Sequence, residues 1–320
     1  MTPAQALALE PALEEVERFL ARTLVSADPT LEAMARQVIG AGGKRMRPRV
    51  LLLAYAACGG AKLSAEVIEA AAGVELLHAA SLVHDDIIDD AATRRGLPAV
   101  QRAHGVGAAI VLGDFLFTKG FALAGRQDDT VVALTARGCE RLAEGELREL
   151  QATGGGVPDL EAYMAIIDGK TAAMLETCGR VGAHLAGRDD LQDALGAFGR
   201  HLGLAFQVSD DLLDLRGDPA RTGKPRATDL RNKAPNAAVL LAARNGARAR
   251  LERFLAAREP TEADVDEALE AVLSSGAVAE AERLAEDHAA RAVEALAPVA
   301  ASSAKAELVR LVRDLPGRST

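Results

Sequence analysis

The chain has no tryptophan, two tyrosines and seven phenylalanines in 320 residues. Strand-forming residues in general are sparse and rarely alternate with polar ones, which excludes sheet architectures and leaves an all-α protein. Cysteine is also scarce. Cys58, Cys139 and Cys178 are odd in number and widely spaced, which excludes a disulfide framework and a thiolate metal site. They read as small buried hydrophobes in a reducing compartment. The formal charge is −9 at pH 7, the wrong sign for a protein that grips a nucleic-acid backbone. The N-terminus lacks a basic stretch followed by an apolar one, and no unbroken apolar run nears the ~20 residues that span a bilayer. These absences predict a cytoplasmic protein with no integral membrane segment.

Ala, Leu, Glu and Arg fill the space the missing residues leave. Helical periodicity runs from about Ala4 to about Asp314, interrupted by Gly/Pro/Asp punctuation at 40–43, 59–60, 96–98, 125–129, 154–158 and 187–190. No interruption reads as a flexible linker, so residues 1–320 are expected to form one domain, a bundle of roughly a dozen or more helices. The single long irregular stretch, 217–236, is rich in Gly, Pro, Lys and Arg, and a loop of that length inside a compact helical domain is usually functional. Beyond Pro260 the amphipathic segments 263–274 and 277–295 carry no clustered chemistry and read as buttresses.

Two clusters of one form dominate the chemistry: Asp85-Asp86-Ile87-Ile88-Asp89 and Asp210-Asp211-Leu212-Leu213-Asp214. Each lies in an apolar helical stretch, so its carboxylates are expected to face the interior, where unpaired charges cost several kcal/mol each. Positions i and i+4 share a helix face, which pairs Asp85 with Asp89 and Asp210 with Asp214. Oxygen-rich clusters suit Mg²⁺, an ion that completes its shell with phosphate oxygens. A diphosphate site follows, in which two such faces line one central cavity. The doublets Asp128-Asp129 and Asp189-Asp190 sit instead at helix breaks and read as solvated caps.

The cations match that reading. Lys44 and Arg47, in Gly42-Gly43-Lys44-Arg45-Met46-Arg47-Pro48, stand at a helix N-terminus, where free N–H groups already attract anions. His78 lies two turns before Asp85 on the same face, whereas His84 points elsewhere and reads as structural. Arg94-Arg95-Gly96 places two guanidiniums just past the first cluster, suited to bidentate phosphate contacts. Lys170-Thr171 falls in a helix over 163–183, Gln207 lies three residues before Asp210, and Lys224 follows in the long loop. Together these are carboxylates ringed by cations, the way diphosphates are bound through metal bridges.

On these motifs, from about Gly42 to Asp229, the chain resembles the trans-isoprenyl diphosphate synthases, or polyprenyl synthetases. The two aspartate clusters, the arginine pair, the Gly-Gly-Lys-Arg stretch, Lys170-Thr171 and Gly223-Lys224-Pro225 occur in the family's order. The resemblance implies an isoprenoid synthase type I fold, a homodimer, and about three Mg²⁺ per active site. It implies metal ligation by Asp85, Asp86, Asp89, Asp210, Asp211 and Asp214. Isopentenyl diphosphate is expected on Lys44, Arg47, His78 and Arg95, and the allylic prenyl diphosphate on Arg94, Lys170 and Lys224. Thr171 and Gln207 would face the allylic cation. After Leu230 the family's Gly-Lys pair is replaced by Arg231-Asn232-Lys233, so Lys233 is expected to stand in for the lysine, and Ala227 stands where glycine is usual.

The wall below the first cluster would be Ser81, Ala80, Leu77 and Val74. No aromatic residue occurs from Gly59 to Asp114, although Phe115, Phe117 and Phe121 offer a floor from a later helix. An open tunnel predicts a medium- or long-chain product, roughly C30–C40. The alternatives are a geranylgeranyl diphosphate synthase and a weakly active or non-catalytic partner subunit of a heteromeric synthase. A terpene cyclase, which needs only the allylic substrate, does not suit the Gly-Gly-Lys-Arg stretch.

Overall fold

The computed structural model describes residues 7–153, 157–216 and 226–315. Lys224 therefore lies outside the described residues. The rest are almost entirely helical, as the composition predicts, and the described residues form one small sheet, the antiparallel pair Thr93–Arg94 and Leu97–Pro98. The punctuation read from the sequence coincides with helix ends. Helices close at Gly40, Ala57, Ala124, Ala152 and Leu185, and open at Asp129 and Leu160. The chain divides into two compact units. One takes residues up to Arg137, Thr177–Gly196 and Val299–Leu308; the other takes Gly138–Glu176, Ala197–Pro298 and residues from Val309 on.

The first unit is built on α1 (Leu9–Thr23), α2 (Pro29–Gly40), α3 (Met46–Ala57), α4 (Ala65–Ile88), the short α5 (Val100–His104) and α6 (Val106–Ala124). Asp28 caps α2 by accepting from the Thr30 and Leu31 N–H groups, with Pro29 in the first turn, as helix starts favour. α4 is apolar all round and buried, with Val67, Ala71, Val74, Leu76, Leu77, Ala80 and Val83 enclosed. His84 has the structural role expected of it: its ring sits against Phe117, 5.8 Å between centroids, and over Gly113, where a Cβ would come within 2.0 Å of Nε2. Cys58 and Cys178 are buried free thiols, and Cys139 is half-buried.

By length and composition alone α4 and α6 are long and apolar enough to cross a membrane, with mean hydropathy 1.3 and 1.6 over 18-residue windows. Neither holds the unbroken apolar run of about 20 residues whose absence the sequence reading noted. Polar residues such as Glu75, His78, Asp114 and Lys119 interrupt the two helices, yet the apolar majority keeps the mean high. α4 is nonetheless mostly buried in its own unit, whereas α6 leaves Val106, Ile110, Val111 and Phe121 exposed.

The second unit packs around Tyr163, Ile167, Leu204, Val208, Leu212, Leu230, Val239, Leu241, Phe254 and Val272. Its helices include most of α7 (Asp129–Ala152), α8 (Leu160–Ile167) and the segments Ala237–Ala242, Arg248–Ala256, Glu262–Ser274 and Ala277–Ala295. The last two match the predicted buttresses almost to the residue. Thr261 and Asp264 form a capping box at the start of Glu262–Ser274. Between α8 and α9 (Ala173–Leu185), residues Asp168–Ala172 are wound as a π-helix, so Lys170 and Thr171 lie on a bulge rather than in regular α-helix. Such bulges concentrate at functional sites.

Candidate active site

The first aspartate cluster closes α4. Asp85 and Asp86 are buried in its last turn, while Asp89 caps the helix and is exposed. The tight hairpin beyond it turns on Arg95 and Gly96, both with positive φ (52° and 79°), the backbone that a two-residue hairpin of right-handed twist demands. That turn delivers Arg94 to Asp86, with Nε donating to Oδ1 at 2.8 Å and Nη2 to the same oxygen. Gln101 locks the segment from beneath by donating to the Asp86 and Ala91 carbonyls at 2.6 and 2.8 Å.

Arg95 turns toward the Gly-Gly-Lys-Arg loop. A Cβ on Gly43, whose φ is 145°, would lie 2.8 Å from Arg95 Nη2, so glycine there admits the guanidinium. Arg47 enters from the first turn of α3 and His78 from α4, and Lys44, three residues before Arg47, is exposed. Arg47 Nε and His78 Nδ1 are buried with no hydrogen-bond partner among the described residues. Burial, then the charges of Arg47, Arg95, Arg94 and Arg45, hold the imidazole of His78 well below its ordinary pKa. Burial likewise depresses Arg47 and Arg95, and Glu75 counters it in both. Cations gathered with donors unspent are the chemistry of an anion site. A cleft adjoins them, lined by His78, Arg94, Arg95 and apolar residues such as Leu82 and Val100.

The second cluster lies in α10 (Gln192–Arg216). Asp210 is exposed and Asp211 buried. Asp211 accepts from the Tyr163 hydroxyl at 2.7 Å, the Ala237 N–H at 2.8 Å and Gln207 Nε2 at 3.1 Å. Asp214 accepts from the Thr228 and Asp229 N–H groups at 3.0 and 3.1 Å. Asn236 donates to the Asp211 carbonyl and to Asp229 Oδ2. Burial lifts the Asp211 carboxyl to about 7, against its hydrogen bonds, with Asp210 adding to the rise. Burial and then the carboxylates of Asp211 and Asp214 raise Asp229. This excess of negative charge suits a divalent cation.

Thr171 Oγ1 donates to Gln207 Oε1 at 2.9 Å, so the two residues expected beside the allylic cation touch. Lys170 stands between Glu146, at 2.9 Å, and Glu149. The bulge beneath is anchored by Asp168, which accepts from Arg141 at 2.8 Å and Arg200 at 2.5 Å. Lys233 has a different occupation from the one expected. Its ammonium donates to the carbonyls of Leu255 and Ala257 at the end of the helix Arg248–Ala256, satisfying helix-terminal acceptors rather than reaching toward a diphosphate. Ala227 adopts φ 57°, the left-handed backbone that accounts for a usual glycine.

Asp86, Asp211 and Asp214, three predicted metal carboxylates, accept hydrogen bonds from the protein donors named above. Among the described residues no group of three or more acidic, His or Cys side chains is gathered as a ready-made metal site. That still fits Mg²⁺, which is commonly held through one or two carboxylates with substrate phosphates and water completing the shell. Sequence reading missed Glu146, Glu149, Tyr163 and Asn236. The two glutamates, three apart on an amphipathic helix, look like a solvated face.

A helical protein with two acidic clusters and a gathering of cations whose donors are unspent defines a class of enzymes that work on organic diphosphates. Residues 28–272 match the family model for polyprenyl synthetase, and the chain belongs to that family as a trans-prenyltransferase. It is 32% identical over 290 residues to the nonaprenyl diphosphate synthase of Mycobacterium tuberculosis, covering 90% of this chain and 86% of that one. It is 36% identical over 263 residues to the geranylgeranyl diphosphate synthase of the same organism, covering 79% and 75%. The crystal structure of a Caulobacter crescentus polyprenyl synthase, complexed with calcium and isoprenyl diphosphate, superposes with a TM-score of 0.90 at 32% identity and covers 99% of each chain.

Proposed function

We propose that the protein is a Mg²⁺-dependent synthase that condenses isopentenyl diphosphate with an allylic diphosphate, giving an all-trans polyprenyl diphosphate of roughly C30–C40. The observation that carries the reading is the pair of buried, unpartnered nitrogens, Arg47 Nε and His78 Nδ1, beside Arg95. An anion completes all three, and with Lys44 they hold the diphosphate of the homoallylic substrate. Asp85 and Asp89 of the first cluster and Asp210 of the second would hold Mg²⁺, which would supply charge neutralisation for departure of the allylic diphosphate. Arg94 and Lys170 add cationic contacts to that leaving group. Thr171 and Gln207, fixed on each other at 2.9 Å, direct their oxygen dipoles at the allylic cation. The homoallylic double bond then attacks C1 of that cation, and a proton leaves to the released diphosphate.

Chain length rests on the α4 wall. Val74, Leu77, Ala80 and Ser81 are buried and none is aromatic. The relatives make both geranylgeranyl and nonaprenyl products by name, so the residues must decide. The exposed apolar face of α6 (Val106, Ile110, Val111, Phe121) supports a homodimer. Three free thiols support a reducing, cytoplasmic setting, and a family match across residues 28–272 supports one functional domain.

The test is incubation with labelled isopentenyl diphosphate, farnesyl diphosphate and Mg²⁺, then dephosphorylation and chain-length analysis. A ladder ending near heptaprenyl to octaprenyl bears the proposal out. A stop at geranylgeranyl keeps the reaction and rejects the wall. No product with any primer rejects the catalytic reading in favour of a partner subunit.

A further inference from the structure

The Gly-Gly-Lys-Arg loop contains a residue with no place in the chemistry above. Arg45 is buried, 8% exposed, at the N-cap of α3, and it holds a left-handed backbone with φ 46° and ψ 43°. A non-glycine residue adopts that conformation only where its surroundings enforce it. The enforcement is a set of contacts that takes up the whole guanidinium. Nη1 donates to Glu75 Oε1 at 2.8 Å, and Nη2 donates to the Ile39 carbonyl at 2.7 Å and to Glu17 Oε2 at 3.1 Å. Nε also pairs with Glu17. Glu75 is buried in mid-α4, 3% exposed.

Glu75 precedes His78 by three residues, so the two share a face of α4. Arg45 likewise stands two residues before Arg47. The Arg45–Glu75 bond therefore joins the loop carrying Lys44 and Arg47 to the helix carrying His78, one turn below the unpartnered nitrogens. Arg45 spends its donors on protein acceptors, whereas Arg47 Nε is left unspent. The two arginines of this loop divide the work, one clamping the loop and the other facing the ligand.

We infer that Arg45 and Glu75 are positioning residues, an internal ion pair that sets the spacing between the two sides of the homoallylic diphosphate site. The inference rests on the reading of that site given under the proposed function. A buried ion pair used only as cement can be replaced by apolar side chains with little loss of stability. A pair that sets geometry cannot be so replaced without cost to binding, because a misplacement of about 1 Å can cost on the order of 10²-fold.

The experiment compares wild type with the double variant R45M/E75L. Thermal unfolding, KM for isopentenyl diphosphate, KM for the allylic substrate and kcat are measured, and isopentenyl diphosphate binding is followed by calorimetry. The expected result is a folded variant whose isopentenyl diphosphate KM and Kd rise roughly 10- to 100-fold, with allylic KM within about twofold. A folded double variant with wild-type affinity for isopentenyl diphosphate overturns the inference. If the double variant fails to fold, E75Q takes its place: it keeps side-chain volume and removes the charge, and the same split in KM is required of it. Wild type that binds no isopentenyl diphosphate overturns the functional reading, and this inference with it.

Discussion

Gly145 offers a direct test of how closely two backbones must meet for the Lys170-Thr171 bulge to form. In the second unit a Cβ on Gly145 would lie 2.3 Å from the Lys170 nitrogen and 2.8 Å from the Gly169 carbonyl carbon. Both neighbours are backbone, so no side chain can swing aside. Ordinary contact begins at 3.4 Å, and Gly145→Ala must therefore drive helix and bulge apart by about 1.1 Å. Overpacking of this kind costs roughly 1–3 kcal/mol, a fall of about 1.5–4.5 °C in Tm for a chain of this size. The displacement carries Lys170 away from Glu146 and Glu149, and Thr171 away from Gln207. A shift of about 1 Å predicts a loss on the order of 10²-fold in kcat/KM. Urea or thermal unfolding with steady-state kinetics on both substrates makes the measurement. Gly40→Ala, which meets nothing within 4 Å, is the control and should leave both readouts unchanged. A G145A protein with wild-type Tm and wild-type kcat/KM would refute the reasoning.

Three further outcomes follow from the described geometry. Ser81→Phe places a ring in the buried wall where Ser81 Oγ now donates to the His78 carbonyl at 2.8 Å, and it should shorten the product; an unchanged distribution removes 74–81 as the wall. Lys233→Ala should lower stability by about 1 kcal/mol through loss of its helix-end contacts while the allylic KM stays put; a raised KM returns Lys233 to the substrate site. His288, buried against His201 with ring nitrogens 3.0 Å apart, has its pKa lowered to about 4 by burial and the neighbouring cations. Because the folded state favours the neutral ring, this stability is present above pH 6.5 and is lost as pH falls toward 4. The loss is on the order of 1–2 kcal/mol after allowance for solvent screening. His288→Gln should flatten that acid limb of the Tm profile, and an unchanged limb assigns it to other groups.

How far the sequence carried the reading depended on whether a signal was local. Helix ends were legible because Gly, Pro and Asp act within a turn, and the segments 262–274 and 277–295 were placed almost to the residue. The cap at Asp128, which accepts from the Val131 N–H, was legible for the same reason, whereas Asp189 makes no capping bond among the described residues; both hold His184, at 2.7 and 2.6 Å, which no spacing announces. Both aspartate clusters were found, but burial splits each of them. Asp85, Asp86 and Asp211 are buried while Asp89 and Asp210 are exposed. Helical periodicity assigns a face, not a depth. The partners of Asp86, Asp211 and Asp214 come from a hairpin, a helix 48 residues away and the start of the short helix Thr228–Arg231, and such long-range pairings leave no mark in local pattern. Lys233 misled because a lysine near a motif looks the same whether it meets a phosphate or a helix end. The π-bulge was invisible because a close backbone approach between Gly145 and Gly169 makes it, not a propensity.

The most direct test of the central claim is the rate of isopentenyl diphosphate condensation onto an allylic primer, with Mg²⁺ supplied and with it chelated, in wild type, Asp85→Asn and Asp210→Asn. The account predicts turnover by the wild type only with Mg²⁺, and a loss of roughly 10³-fold in each variant at unchanged Tm. Turnover that survives chelation, or a folded variant that keeps the wild-type rate, would contradict it.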